Sequence, residues 1–284
     1  MEIIETVKQI QKKSEALKFE GHTIALVPTM GFFHEGHLEL MRVGKKLADK
    51  LIISIFVNPT QFGPAEDFGE YPRDMDSDLA GARDVGVDIV FSPSVSEMYP
   101  EGFQTNVVVE RATQHLCGIS RPVYFNGVTT VVAKLFNMTM PHLAIFGQKD
   151  YQQLMVINRM VTDLNMPIRI VPVPTVREPD GLAMSSRNSY LDPEERKSAL
   201  CLKKSLDLAD KMFQGPEKDA DIIKKAIVSL IQDHPFTDID YVSLCDPENF
   251  EDIEKLGEKT LLALAVRIGK TRLIDNCLLQ VSSN

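Results

Sequence analysis

The sequence predicts an α/β fold: a doubly wound parallel sheet followed by a smaller C-terminal α+β domain. Three observations carry that prediction. Apolar strand candidates alternate with helical patterns through residues 1–176. These strand candidates are continuously apolar rather than alternating, as in a parallel sheet covered by helices on both faces. Over residues 177–284 the pattern changes to helices followed by three short strands.

Taken in order, "MEIIETVKQIQKK" reads as a charged amphipathic helix without the form of a signal peptide. "TIALV" (23–27) reads as the first buried strand. Leu38, Leu40, Met41, Val43 and Leu47 then recur at roughly helical spacing, which predicts a helix near 37–49. The strands "LIISIFV" (51–57), "VDIVFSP" (87–93), "HLAIFG" (142–147) and "IRIVPVP" (168–174) follow, with helices near 73–85, 127–138 and 149–163. The link "PVPTVREPDGLAMSSRNS" is rich in Pro, Ser and charge, and is expected to border a cleft. Beyond it, "LDPEERKSALCLKKSLDLADKMF" predicts a helix with Asp192 as N-cap and Pro193 in its first turn. A second helix near 217–232 and the strands "IDYVSLC", "LLALAVRIG" and "TRLIDNC" complete the pattern, with no internal repeat.

Composition narrows the function. The chain has 284 residues, 44% hydrophobic and 25% charged, with a net charge of −9. A broad nucleic-acid footprint is disfavoured by that charge. No apolar run reaches the ~20 residues that span a bilayer, so no membrane role is expected and cytoplasmic residence is the default. Cys117, Cys201, Cys245 and Cys277 are far apart and form no C-x-x-C pair, which reads as buried free thiols rather than a zinc or disulfide framework.

Polar, Gly-containing segments follow the strands: "PTMGFFHEGH" the first, "NPTQFG" the second and "GQKDYQQ" the fourth. Open α/β sheets bind ligands at the carboxyl ends of their strands. A turn that opens a helix there presents free N–H groups and the positive end of the helix dipole to an anion. His34 and His37 stand at that turn. A zinc helix needs H-E-x-x-H, whereas "HEGH" spaces its histidines by three. Two capping or surface histidines are the plain alternative. The stronger reading has Gly36 admit a phosphate to the backbone while His34 and His37 donate to its oxygens, stabilising charge that grows on an α-phosphate.

"PTMGFFHEGH" resembles the H-x-G-H motif of the nucleotidylyltransferase and class I aminoacyl-tRNA synthetase superfamily. "GLAMSSRNSYL" resembles its late K-M-S-K-S-like loop. "SIFVNPTQFGPAEDFGEYPRD", "RPVYFNGVTTVVAKLFN", "FGQKDYQQL" and "TRLIDN" closely resemble the pantothenate synthetase (pantoate–β-alanine ligase) family. The resemblance covers nearly the whole chain, least clearly 195–240. It implies a Rossmann-like nucleotide-binding and catalytic domain at 1–176 and a smaller C-terminal α+β lid domain at 177–284. It implies ATP-dependent condensation of pantoate with β-alanine through pantoyl adenylate, giving pantothenate, AMP and pyrophosphate. Mg2+ is expected to screen the triphosphate, and a homodimer through the nucleotide domain is expected.

The resemblance also implies roles by position. Met30, Gly31, Phe32, Phe33, His34, Glu35, Gly36 and His37 form the first ATP-binding segment, with His37 as catalytic proton donor and His34 beside it. Gln61 is expected to hold pantoate and β-alanine, Gln153 to hold pantoate, and Asn58 to shape the same pocket. Gly147, Gln148, Lys149 and Asp150 are expected to hold ATP, with Lys149 on phosphate. Val176 is expected to meet adenine, and Met184, Ser185, Ser186 and Arg187 to grip the triphosphate in a loop that moves without ligand. No protein ligand to a metal is assigned, and Asp76 and Asp78 read as a solvated helix face.

Two positions depart from the family pattern: Tyr124 precedes Phe125 where histidine is usual, and Gln148 replaces a usual glutamate. Another small-molecule nucleotidylyltransferase of the same superfamily is the alternative, but it would lack both Gln61 and Gln153 in these contexts. A nucleotide-sensing module without turnover would be expected to lose His37 or Lys149. A tRNA-charging role lacks a basic extension.

Overall fold

A computed structural model describes residues 1–64 and 66–280. The chain forms two compact units. The first comprises Met1–Val109, Arg121–Gln148 and Gln152–Pro174, and the second Glu110–Ser120, Lys149–Tyr151 and Thr175–Asn284.

The first unit is built on six strands, β1 (Glu2–Ile4), β2 (Ile24–Thr29), β3 (Lys50–Ile55), β4 (Ile89–Phe91), β5 (Leu143–Gly147) and β6 (Arg169–Val173). Every pairing is parallel, in the order β1-β4-β3-β2-β5-β6. Its helices are α1 (Val7–Phe19), α2 (Glu35–Leu47), α3 (Met75–Val85) and α4 (Val95–Met98), with α6 (Tyr124–Thr139) and most of α7 (Tyr151–Asp163). The short α5 (Cys117–Ser120) belongs to the second unit.

Side chains alternate along a strand, and here both faces are dry. Ala25, Val27, Leu51 and Ile53 pack with Met41 of α2 and Ala82 of α3 in one core cluster. Ile24, Leu26 and Ile52 between them are equally buried. That two-sided burial is why these strands read as unbroken apolar runs.

The start of the chain differs from expectation. Glu2–Ile4 pair in parallel with β4 at the sheet edge, and helix begins only at Val7, where the Thr6 side chain accepts from the Gln9 N–H. Three residues are too few for a periodic signal, and Ile3 is 46% exposed.

The sheet order reverses beside β2, since β3 lies on one side and β5 on the other. Pairing of β2 with β3 runs from Ile24 to Thr29, whereas pairing with β5 involves only Ala25 and Leu26. The strands therefore part toward their carboxyl ends. Such a crevice is the switch point where open α/β sheets take ligands.

The second unit holds α8 (Pro193–Ala199), α9 (Cys201–Gln214), α10 (Ala220–Gln232) and the antiparallel sheet β7 (Thr237–Cys245), β8 (Lys259–Ile268) and β9 (Thr271–Gln280). Asp192 caps α8 as the sequence predicts, accepting from the Glu194 and Glu195 N–H groups, but the predicted single helix is broken at Leu200. Leu202, Ile223, Ile227, Leu264 and Val266 belong to a core cluster of this unit. Among the described residues, no helix is long and apolar enough to cross a membrane.

Candidate active site

β2 ends at Thr29, and the chain then turns sharply. Gly31 (φ +80°) and Phe32 (φ +53°) both occupy the left-handed region, which L side chains avoid. The turn is held from α3. The Asp78 carboxylate accepts from the Phe32 N–H at 2.8 Å and the Phe33 N–H at 2.6 Å. A Cβ on Gly31 would stand 2.8 Å from Asp78 Oδ2, so glycine is required twice over, for its φ and for space. Asp78 is 2% exposed, which corrects its reading as part of a solvated face. Asp76 is exposed as expected. Burial raises the Asp78 carboxyl above the ordinary carboxylate range, although both N–H donors pull it down.

The turn delivers His34 as the N-cap of α2. His34 and His37 are bonded to each other: the His37 N–H donates to the His34 carbonyl at 2.8 Å, and His37 Nδ1 accepts from the His34 N–H at 3.3 Å. Their rings lie 4.1 Å apart, and Phe33 packs against His37. A neutral His37 that accepts through Nδ1 carries its proton on Nε2. Glu35 is turned onto Arg42, which lowers its carboxyl below the ordinary range.

The predicted amides follow β3. Pro59–Gln61 form a 3-10 turn capped by Asn58. Asn58 is 1% exposed and its bonds are spent on its neighbours. Nδ2 donates to Gln61 Oε1 and to the Gly127 carbonyl, both at 3.1 Å, while Oδ1 accepts from the Tyr99 hydroxyl at 2.8 Å. Gln61, 8% exposed, turns its Nε2 to Met30 Sδ at 3.2 Å. Gln61 is thus joined to the first predicted ATP segment. Gly127 of α6 lies directly under this turn.

Arg121 links the amides. It pairs with Glu66 through Nε at 2.7 Å and Nη2 at 2.6 Å, and Nη2 also donates to the Gln61 carbonyl at 3.1 Å. Its guanidinium lies 3.9 Å from the Tyr124 ring centroid. The Tyr124 hydroxyl donates to Gln153 Oε1 at 2.8 Å. The departure at position 124 therefore places a phenol on one of the two predicted pantoate amides. A cavity of about 300 Å³ lies beside the turn, lined by Met30, Gly31, Arg73, Asp74, Asp78 and Ser94 among others. Gln61 and Gln153 are not in its lining, so it is not the pocket that those amides define.

Gly147 ends β5 and Gln148 opens the next 3-10 turn, Gln148–Asp150. The other predicted residues belong to the second unit. There, Lys149 Nζ lies 3.8 Å from Asp150, and the Lys149 carbonyl accepts from Asn276 Nδ2 at 2.8 Å. The Val176 carbonyl accepts from the Met184 N–H at 3.0 Å, closing a small hairpin. Arg177 in that hairpin pairs through both ends of its fork with Asp275, at 2.7 and 2.9 Å. Met184 precedes a 3-10 turn, Ser186–Tyr190, capped by Ser185, whose hydroxyl accepts from the Arg187 N–H at 3.3 Å. Asn188 ties this turn to Glu178 at 2.7 Å and to the Ala183 carbonyl at 3.1 Å. These bonds tie residues 178–188 of the predicted loop to one another.

Asp78, Arg121, Gly127, Asp275 and Asn276 carry no predicted role. Arg121, Gly127, Asp275 and Asn276 lie inside motifs noted in the sequence. Asp78 offers no such signal, because an acid in a helix first turn ordinarily faces water.

A parallel open sheet whose switch point carries a histidine-capped helix and a pair of linked amides defines an α/β enzyme of the Rossmann-like class. The profile of the pantoate-beta-alanine ligase family matches residues 2–278. Pantothenate synthetase of Syntrophus aciditrophicus (strain SB) is 56% identical over 276 residues, spanning 97% of this chain and 96% of that protein. A pantothenate synthetase structure from Thermus thermophilus superposes with TM-score 0.94 at 41% identity, covering 99% of this chain and 100% of that one. The pantoate-beta-alanine ligase of Francisella tularensis, complexed with beta-gamma ATP and beta-alanine, gives TM-score 0.81 at 33% identity, covering 99% of each chain. The chain belongs to the pantoate–β-alanine ligase family. It is a ligase that joins pantoate to β-alanine to make pantothenate.

Proposed function

We propose that the ligation runs in two steps with ATP as the activating substrate. The pantoate carboxylate attacks the α-phosphorus, the α–β anhydride bond breaks, and pyrophosphate leaves. The β-alanine amine then attacks the acyl carbon of pantoyl adenylate, AMP leaves with the bonding pair, and the amine gives up a proton. The Francisella tularensis relative with its ATP and beta-alanine supports both substrates.

The observation that carries this reading is the bonded His34–His37 pair at the start of α2. A helix N-terminus favours phosphate, and the Nε2 proton of a neutral His37 suits a donor to an α-phosphate oxygen, with His34 beside it. In this reading Met30–His37, Gly147–Asp150, Val176 and Met184–Arg187 hold ATP, with Lys149 on phosphate. Gln61 and Gln153 hold pantoate, and Gln61 also takes β-alanine. Asn58 acts from behind: with Nδ2 donated to Gln61 and Gly127, it orients Gln61 rather than substrate. We assign catalysis to residues 1–176 and a lid role to 177–284.

Among the described residues, no group of three or more His, Cys, Asp or Glu is assembled to hold a metal ion. In this reading Mg2+ would be carried on triphosphate oxygens and water. Association as a homodimer through the nucleotide domain completes the proposal, as does a cytoplasmic location, which the free thiols suit.

The test combines protein, ATP, Mg2+ and pantoate, with β-alanine added or withheld. Pyrophosphate is expected from ATP and pantoate alone, and pantothenate with stoichiometric AMP only after β-alanine. Pyrophosphate that appears only when β-alanine is present would contradict the two-step order.

A further inference from the structure

We infer that Asp78 is a positioning residue: its carboxylate clamps the backbone of Phe32 and Phe33 and so sets how the phosphate-binding turn enters α2 with His34 and His37. The inference rests on the assignment of that segment to ATP.

Three observations carry it. Both oxygens of one carboxylate are spent on consecutive amides, Oδ2 on Phe32 at 2.8 Å and Oδ1 on Phe33 at 2.6 Å, at a site 2% exposed. The turn has an unfavourable backbone to hold, because Phe32 is a non-glycine residue at φ +53° directly after Gly31 at φ +80°. Such a conformation persists only where the surroundings over-determine it. The carboxylate also comes from a fixed base: α3 is capped by Asp74, which accepts from the Ser77 N–H, and is anchored in the core by Ala82.

The ionised carboxylate is held there against the pull of burial. Burial lifts its carboxyl, Asp74 adds to the rise, and the two amides only partly offset them. Arg73 and Asp74 are the charged residues that line the adjoining cavity with it. An acid that titrates higher in the folded than in the unfolded chain favours the fold when protonated, and removes stability as pH rises through that interval. What its two oxygens hold is the turn: both bonds go to the consecutive amides of Phe32 and Phe33.

Asp78→Asn keeps the volume but turns one acceptor into a donor facing an N–H. With ATP and pantoate saturating, pyrophosphate release by D78N is expected to fall about 10²-fold, the scale for displacing a reacting group by about 1 Å. The pantoate KM is expected to change little, since Gln61 and Gln153 are untouched. Amide hydrogens of Phe32 and Phe33 are expected to exchange slowly in the wild type and quickly in D78N, while those of β2 and β3 stay protected. A merely structural role would loosen the strands as well. Wild-type pyrophosphate release by folded D78N overturns the inference, and so does fast exchange at both amides in the wild type. Failure of D78N and D78S alike to fold would assign Asp78 to the core and also overturn it. His37→Ala is measured alongside: an active H37A removes the ATP assignment itself, whereas inactive H37A with active D78N removes only the clamp.

Discussion

Gly127 and Thr60 meet backbone against backbone: a Cβ built on Gly127 would stand 2.5 Å from the Thr60 carbonyl oxygen and 2.6 Å from the Gln61 nitrogen. Neither atom is the end of a flexible side chain, so the turn itself would have to move. Gly127→Ala is expected to destabilise the protein by about 1–3 kcal/mol, the scale of overpacking. It is also expected to raise the pantoate KM through displacement of Gln61. Thermal unfolding and steady-state kinetics check both, and an unchanged KM would detach Gln61 from pantoate or Gly127 from Gln61.

Gln61→Ala is expected to weaken pantoate by about 1–3 kcal/mol, because a buried ligand oxygen loses its partner. ATP affinity is expected to hold. Asn58→Ala is expected to give a smaller effect of the same kind, since it frees the Gln61 amide without removing it. Loss of ATP binding with pantoate binding intact would move Gln61 to the nucleotide site.

Tyr124→Phe removes one atom, the hydroxyl that fixes Gln153 Oε1. The net worth of such a bond is about 0.5–1.5 kcal/mol, so the pantoate KM is expected to rise about 2- to 10-fold with kcat little changed. The stacked Arg121 guanidinium keeps the ring in place. A fall in kcat at unchanged KM would mean that the phenol serves the chemical step.

Burial pushes the thiols of Cys201 to about 11 and of Cys245 and Cys277 to about 12. Cys201 and Cys245 are fully buried, so at pH 8 both are held as thiols. Neither is expected to react with a thiol reagent until the chain unfolds. In the unfolded chain these thiols ionise at their ordinary, lower range. The unfolded state therefore binds fewer protons there, and stability falls as pH rises from that range toward 11–12, by up to about 1.4 kcal/mol per pH unit for each thiol. Denaturant midpoints at pH 8 and pH 10 measure that decline; a flat profile would remove the cause assigned here.

What could be read from sequence followed from local physics. β2, β3 and β5 are buried on both faces, so unbroken apolar runs announce them, and the Gly-His turn after β2 reads as an anion site because capping chemistry is local. β1 escaped because three residues at a sheet edge show no period. Asp78 escaped because its neighbours, Asp74 at the cap of α3 and Asp76 within it, are exposed, and only the fold brings the one buried acid of that helix against Phe32 and Phe33. The phenol of Tyr124 meets Gln153 from another helix, a pairing that neither residue's own neighbourhood foretells.

The bond from Asn276 to the Lys149 carbonyl spans 127 positions of sequence. Synthesis runs from the N-terminus and domains fold as they emerge, so the sheet of the first unit can close long before that fastening exists. A ribosome-bound chain would hold the parallel core in place while the backbone at Lys149 still awaited β9. The last described strand thus fastens a backbone position laid down 127 residues earlier, and that fastening is among the last to form as the chain is made.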